Sequence, residues 1–142
     1  MRKKRILLCD DELVICESLK MFLSNRLKTV DCAYDGEQGL KMALENDYDV
    51  IITDYSMPKM DGLSFLRELR NQGDYTTAIL FSGHLDFISE DVEKELAISH
   101  VVEKPIDDIA ELDQLLDIIT FQPKASDIIR HLQTGDPIRR LA

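Results

Sequence analysis

The chain has 142 residues, 44% hydrophobic and 31% charged, which suits one globular domain with a real core. Its net charge of −10 at pH 7 works against holding nucleic acid or an anionic membrane surface through the bulk field. No apolar stretch approaches the roughly 18 residues that span a bilayer.

The basic run Arg2-Lys3-Lys4-Arg5 reads as a solvated N-terminal tail. Arg5 to Cys9 then reads as a buried strand, too short for a secretory signal and stopped by Asp10-Asp11. Leu13, Cys16, Leu19, Phe22 and Leu23 recur at helical spacing on one face. Asn25 to Thr29 breaks that helix, and Val30 to Ala33 makes a weak strand. Asp35-Gly36 is a turn signal, after which Leu40, Ala43 and Leu44 mark a second helix ending at Asn46-Asp47. Val50 to Thr53 is a third strand, and its continuous apolar character suits a parallel sheet covered on both faces. Asp61 is placed to cap a helix carrying Leu63, Leu66 and Leu69, closed by Gly73-Asp74. Ala78 to Phe81 is a fourth strand, ending at Ser82-Gly83. Ile88, Val92 and Leu96 give a fourth helix with an acidic face from Glu90, Asp91, Glu93 and Glu95. His100 to Glu103 is a short fifth strand before Lys104-Pro105, and Ile109, Leu112, Leu116 and Ile119 make a fifth helix.

Strands alternating with helices at short spacing predict an α/β fold. Five parallel strands and five helices with right-handed crossovers give a doubly wound sandwich. Pro123 interrupts the last helix, and Ser126 could cap a short amphipathic helix with Ile128, Ile129 and Leu132, ended by Gly135 and Pro137. The three cysteines, Cys9, Cys16 and Cys32, form no CxxC pair. An odd count without a secretory signal points to reduced thiols and a cytoplasmic setting. Cys9 and Cys16 fall on apolar faces, so core packing is the first reading for them.

In an open parallel sheet, ligands bind outside the C-terminal ends of the strands. Those ends carry Asp10 and Asp11, Asp54, Ser82 and Lys104. Asp10 or Asp11 could cap a helix, Ser82 could satisfy a turn, and Lys104 could be a surface lysine. Asp54 is harder to dismiss, because Asp is depleted in strands and costly to bury unpaired. Carboxylates packed together raise each other's pKa, and a hard divalent cation relieves that. An all-oxygen site suits Mg²⁺. Lys104 can pair with Asp54 or with a phosphoryl oxygen, and Ser82 can donate to another. An Asp carboxylate is a nucleophile for phosphoryl transfer, which needs mostly positioning and charge neutralisation.

The acidic pair Asp10-Asp11, the run D-x-x-M-P-x-M-D-G from Asp54 to Gly62, Ser82-Gly83 and Lys104-Pro105 stand in a set order and spacing. In these residues the chain resembles the receiver domain of two-component response regulators, over about Arg5 to Thr120. The resemblance implies a flavodoxin-like strand order 2-1-3-4-5. It implies a receiver domain at 1–120, with 121–142 an extension or linker. It makes Asp54 the phosphoacceptor. Asp11, Asp54 and the Ser56 carbonyl would bind Mg²⁺ directly, with Asp10 nearby or through water. Ser82 would move toward the phosphoryl group, and Lys104 would bind it. The donor would be a phosphohistidine on a sensor histidine kinase or a histidine phosphotransfer protein. The output would run through the face of the fourth helix, fifth strand and fifth helix to an effector protein or output domain, with a homodimer as an open option. No direct contact with nucleic acid or membrane is implied.

One position departs from the family pattern. Receivers often carry an aromatic residue three positions before the lysine, where this chain has Val101, preceded by His100. Ser56 and His84 stand two positions after the phosphoacceptor and the hydroxyl residue, where they would tune hydrolysis of the acyl phosphate. The expected class is a phosphorylation switch that assists its own chemistry, not an enzyme acting on a separate substrate. A haloacid-dehalogenase-like phosphatase would need a second Asp at Ser56, and there is no room for a substrate cap. In a flavodoxin-like electron carrier, Asp10-Asp11-Glu12 would repel the flavin phosphate. A degenerate receiver kept for protein contacts is the remaining alternative.

Overall fold

The computed structural model describes residues 3–83, 88–105, 109–120 and 132–135. They fall into two compact units, Arg2–Asp107 and Asp108–Ala142. The first contains β1 (Lys4–Cys9), α1 (Leu13–Leu23), β2 (Lys28–Ala33), α2 (Gly36–Glu45), β3 (Val50–Asp54), α3 (Gly62–Asn71), β4 (Thr77–Ser82), α4 (Glu90–Glu95) and β5 (Ile98–Glu103). The second contains α5 (Ile109–Thr120), in which Leu112 and Leu116 are buried. The stretch expected to form a short helix from Ser126 lies mostly outside the described residues; 132–134 are helical, and Leu132 is exposed.

All strand pairs are parallel, in the order β2-β1-β3-β4-β5. The chain steps from β1 outward to β2, then reverses past β1 to β3 and continues to β5. With right-handed crossovers, that reversal puts α1 on one face and α2, α3 and α4 on the other. Leu7, Cys9, Ile51, Ala78 and Leu80 join Ala43, Phe65, Leu66, Leu69 and Leu96 in one buried cluster. The alternate strand residues Ile6, Leu8, Val50, Ile52, Ile79 and Phe81 are equally buried. This two-sided burial is why β1, β3 and β4 read as continuous apolar runs.

Several boundaries and faces differ from the sequence reading. In α1 the buried stripe is Cys16, Leu19 and Leu23, whereas Leu13 and Phe22 are 60% and 64% exposed. Those two lie on the flanks of the stripe at 3.6 residues per turn, and apolar spacing alone did not separate flank from centre. β2 starts earlier, at Lys28, because the Asn25 side chain accepts from the Leu27 and Lys28 amides and ends the turn there. β5 starts at Ile98, not His100; a register irregularity opposite Ala78 and Ile79 lets Ile98 and His100 pair with adjacent residues. α4 is short, and none of its own residues is buried. Its apolar anchors are Val92, half-buried, and the flanking Ile88 and Leu96.

Two glycines allow the β3–α3 loop to close. A Cβ on Gly62 would strike the Asp54 carbonyl oxygen, and the Gly62 amide donates to the Tyr55 carbonyl at 2.8 Å. A Cβ on Gly36 would strike the Met60 carbonyl, so the start of α2 sits against the same loop. The Asp61 side chain caps α3 by accepting from the Ser64 amide at 2.7 Å, as the sequence predicts. Gly62→Ala forces the backbone behind Asp54 to move. It should cost about 2 kcal/mol or more, the scale of a forced overpacking, read from urea unfolding. An unchanged midpoint would mean that the loop tolerates the methyl group.

Candidate functional site

The sheet order creates a switch point between β1 and β3, where the flanking connections leave in opposite directions and open a crevice at the strand ends. Asp10 follows β1 and Asp54 closes β3, one on each side of that crevice. Leu8 and Cys9 pair with Ile52 and Thr53, which brings the two carboxylates level. Asp11 follows Asp10 and is exposed, while Asp10 is fully buried and Asp54 is 7% exposed. One carboxylate oxygen from each of the three lies within 4.8 Å of the others.

Lys104 enters from the end of β5, where its amide donates to the Ser82 carbonyl at 2.9 Å. Its ammonium donates to Asp10 Oδ2 at 2.7 Å and to Asp54 Oδ2 at 3.1 Å, with Glu12 Oε1 at 4.0 Å. Neither Asp10 nor Asp11 caps α1; the N-cap is Glu12, with no side-chain cap. Asp10 Oδ1 instead accepts from the Glu12 amide at 2.9 Å, which turns the chain out of β1. The alternative explanation of the acidic pair as helix caps therefore fails.

Burial lifts the Asp54 pKa above its ordinary value, and the charge of Asp10 adds to that, against the hydrogen bonds from Lys104 and the Ser56 backbone. Burial alone would lower the Lys104 pKa, but hydrogen bonds to Asp10 and Asp54 outweigh it and hold the ammonium charged. The carboxylates outnumber the lysine that neutralises them. An all-oxygen donor set with surplus negative charge fits a hard divalent cation such as Mg²⁺.

Comparison with known proteins agrees with this geometry. Residues 6–117 match the family model for the response regulator receiver domain. The chain belongs to the response regulator receiver family. It is 31% identical over 126 residues to the transcriptional regulatory protein DltR of Streptococcus agalactiae, covering 89% of this chain and 54% of that protein. It thus spans about half the length of the curated relatives it matches. The Francisella response regulator 1452 receiver domain superposes with a TM-score of 0.72 at 29% identity, over 83% of this chain and 97% of that one. The response regulator TrrA of Thermotoga maritima, solved in complex with Mg²⁺–BeF, gives 0.72 at 31% identity, over 82% and 98%.

In this receiver, Asp10, Asp11, Asp54 and Lys104 come together as a group. Ser82 closes β4 and is buried, one residue beyond Phe81, which pairs with Asp54. Ser56 is exposed on the β3–α3 loop. Val101 pairs with Leu80 and packs half-buried against the core cluster, while His100 beside it is exposed. His84 lies outside the described residues. Three contributors escaped the sequence reading. Glu12 turns the chain at Asp10. Thr53, fully buried, donates to the Asp54 carbonyl at 3.0 Å, and Cys16 Sγ donates to the Asp10 carbonyl at 3.1 Å. Glu12 adjoins the acidic pair and Thr53 adjoins Asp54, both local signals; the Cys16 contact depends on how α1 packs beside the end of β1.

The raised Asp54 pKa sets a sign for stability. A carboxylate whose folded value exceeds its unfolded value contributes stability that is full below the unfolded value, 3.8, and is lost as pH rises through the folded value. At neutral pH the ionised Asp54 therefore opposes folding. Asp54→Asn, in chelator at pH 7, should raise the Tm, with the gain shrinking as pH falls toward 4. A lower Tm across that range would show that the Lys104–Asp54 pair outweighs the burial of the carboxylate.

Proposed function

We propose that Asp54 is the phosphoacceptor of this receiver and that Mg²⁺ is held by Asp10, Asp11, Asp54 and the Ser56 carbonyl. The observation that carries this reading is the meeting of three carboxylate oxygens within 4.8 Å, with Lys104 bonded to two of the acids. Mg²⁺ at this position would neutralise phosphoryl oxygens and offset the repulsion among the carboxylates. An Asp54 oxygen attacks phosphorus, the P–O bond forms, and the P–N bond of a donor phosphohistidine breaks with its electron pair returning to the imidazole. Lys104 then transfers its ammonium from the carboxylates to a phosphoryl oxygen, and Ser82 donates a hydrogen bond to another.

The donor is a sensor histidine kinase or a histidine phosphotransfer protein, and the setting is cytoplasmic. Among the described residues no helix is long and apolar enough to cross a membrane. The output is a changed preference for an effector protein or output domain, through the surface of α4 and β5. Phosphorylation biases an equilibrium between two arrangements, and partner binding reads the bias. The half-buried Val101 on β5 stands where an aromatic switch residue would be expected, with the exposed His100 just before it.

Two measurements test the site. Incubation with Mg²⁺ and acetyl phosphate should give one phosphoryl adduct by intact mass, absent in Asp54→Asn and without metal. Failure with both acetyl phosphate and a phosphohistidine donor would leave the chain a contact module. Separately, Mg²⁺ should raise the Tm of the unphosphorylated chain, because binding to the folded state alone stabilises it by about 2.7 kcal/mol at 100 times Kd. Asp11→Ala should remove most of that increment. A Tm indifferent to Mg²⁺ but sensitive to Asp11→Ala would make the cluster structural.

A further inference from the structure

Arg70, in the last turn of α3, is only 6% exposed, although a guanidinium is costly to bury without partners. Its partners are backbone carbonyls. Nε donates to Leu96 at 2.7 Å, Nη1 to Asp74 at 2.9 Å and Nη2 to Ala97 at 3.3 Å. The Asp74 bond ties the guanidinium to the end of its own helix, and the Tyr75 ring lies beside it with its centroid at 5.6 Å. Leu96 is the C-cap of α4, and its carbonyl is one that a helix end leaves without an intrahelical partner. Ala97 follows with φ +52°, a conformation that is costly for any residue with a Cβ. A side chain from α3 therefore caps the end of α4.

The two ends of α4 are held by different forces. At its start, Ile88 and Val92 pack half-buried against the core cluster, and the Ser89 side chain bonds only within the helix, to the Val92 amide. Apolar contact is non-directional, so it survives a change of angle. At its end, Leu96 is buried, and two directional bonds from one rigid fork fix the carbonyls of Leu96 and Ala97. Arg67 adds an ion pair to Glu95 at 3.6 Å, exposed on both sides and weak for that reason. β5 starts at Ile98, directly after the clamped residues.

We propose, on the reading that α4 and β5 form the output surface, that Arg70 is a positioning residue for that surface. It pins the Leu96–Ala97 turn as a pivot, so that α4 changes its angle from its start while its end and β5 stay in place. Residues at the ends of elements are where hinge motion is absorbed. A fixed end turns the response of α4 into a rotation and not a detachment, and a partner meets a changed start beside an unchanged end. The same helix touches the acidic site. α3 begins at Gly62, packed against the Asp54 carbonyl, and carries Arg70 in its last turn.

The test follows amide hydrogen exchange in the full chain, residue by residue by NMR, in chelator and then with Mg²⁺ and beryllium fluoride in place of the phosphoryl group. The Glu93 amide bonds to the Ser89 carbonyl near the start of α4, and the Leu96 and Ala97 amides bond to the Val92 and Lys94 carbonyls at its end. Beryllium fluoride should change exchange at Glu93 and leave Leu96 and Ala97 as they were. A larger change at Leu96 and Ala97 than at Glu93 would overturn the pivot. No change anywhere on α4 or β5, with bound fluoride seen by fluorine NMR, would instead overturn the output surface itself, and the pivot with it. In chelator alone, Arg70→Lys keeps the charge but not the planar fork. It should speed exchange at Leu96 and Ala97 about tenfold, the loss of one ordinary hydrogen bond, with Leu8 and Ile52 in the central strands unchanged. Unchanged exchange at Leu96 and Ala97, or equal acceleration at Leu8 and Ile52, would overturn the clamp. The beryllium fluoride comparison uses the unaltered chain and decides the pivot even where Arg70→Lys does not fold.

Discussion

The carboxylates of Asp10, Asp11 and Asp54 converge on one point, and a single ammonium, that of Lys104, bonds to Asp10 and Asp54. Two like charges about 4 Å apart repel by about 4 kcal/mol at an effective dielectric of about 20, so the arrangement persists only because the scaffold enforces it. The enforcement is backbone-level. Asp10 and Asp54 continue or close neighbouring central strands, and the β1–β3 register makes them level. Lys104 is fixed by the hydrogen bond that its backbone amide donates to the Ser82 carbonyl at the end of β4. Gly62 and Gly36 let the loop after Asp54 pack where a side chain would collide with backbone. Much of the electrostatic cost sits at the switch point of a sheet whose other buried residues are mostly apolar.

Excess negative charge and partial neutralisation give the site its chemical bias. Lys104 is closer to Asp10 than to Asp54, 2.7 Å against 3.1 Å, so its principal partner is the wholly buried acid. The Asp54 carboxylate is correspondingly less compensated, and burial holds its pKa up. An incoming phosphoryl group adds charge where a hard cation and a mobile ammonium can share it. From the sequence, Lys104 can pair with Asp54 or with a phosphoryl oxygen, and Asp10 does not stand out as its partner. Nothing in a D-D pair says which acid turns inward; here it is Asp10.

The strand ends were legible because the parallel sheet writes itself into the sequence. Apolar runs ending in Asp10, Asp54 and Ser82, and the short Val101-Val102 stretch before Lys104, mark both the layered architecture and the positions that meet at one edge. The Asp61 cap was legible for a local reason, since cap and helix adjoin in the chain. Leu13 and Phe22 were misplaced because a wide apolar stripe on α1 exceeds the face that β2 and its neighbours cover. Phe65, among the deepest residues of α3, was passed over because leucines at helical spacing beside it carried the pattern. The start of β5 was hidden by the pairing irregularity, which has no signature in residue type.

Arg70 illustrates a constraint that spacing cannot reveal. It lies in the last turn of α3, nearly buried, where its guanidinium donates to the carbonyls of Leu96 at 2.7 Å, Asp74 at 2.9 Å and Ala97 at 3.3 Å. Ala97 has φ +52°, the left-handed conformation that normally favours glycine after a helix. Arg70 thus holds the C-terminal end of α4 and the strained residue leading into β5. α4 buries none of its own side chains, so this polar clamp, with Leu96, fixes one end of an otherwise lightly held helix. Elements with few buried apolar contacts open at low free energy. A helix clamped at its C-terminal end and lightly packed elsewhere can change its angle while β4 and β5 keep their register. The rigid acidic site and the lightly held α4 therefore have different structural origins. Backbone pairing and close glycine contacts fix the first, while two hydrogen bonds from one side chain anchor the second.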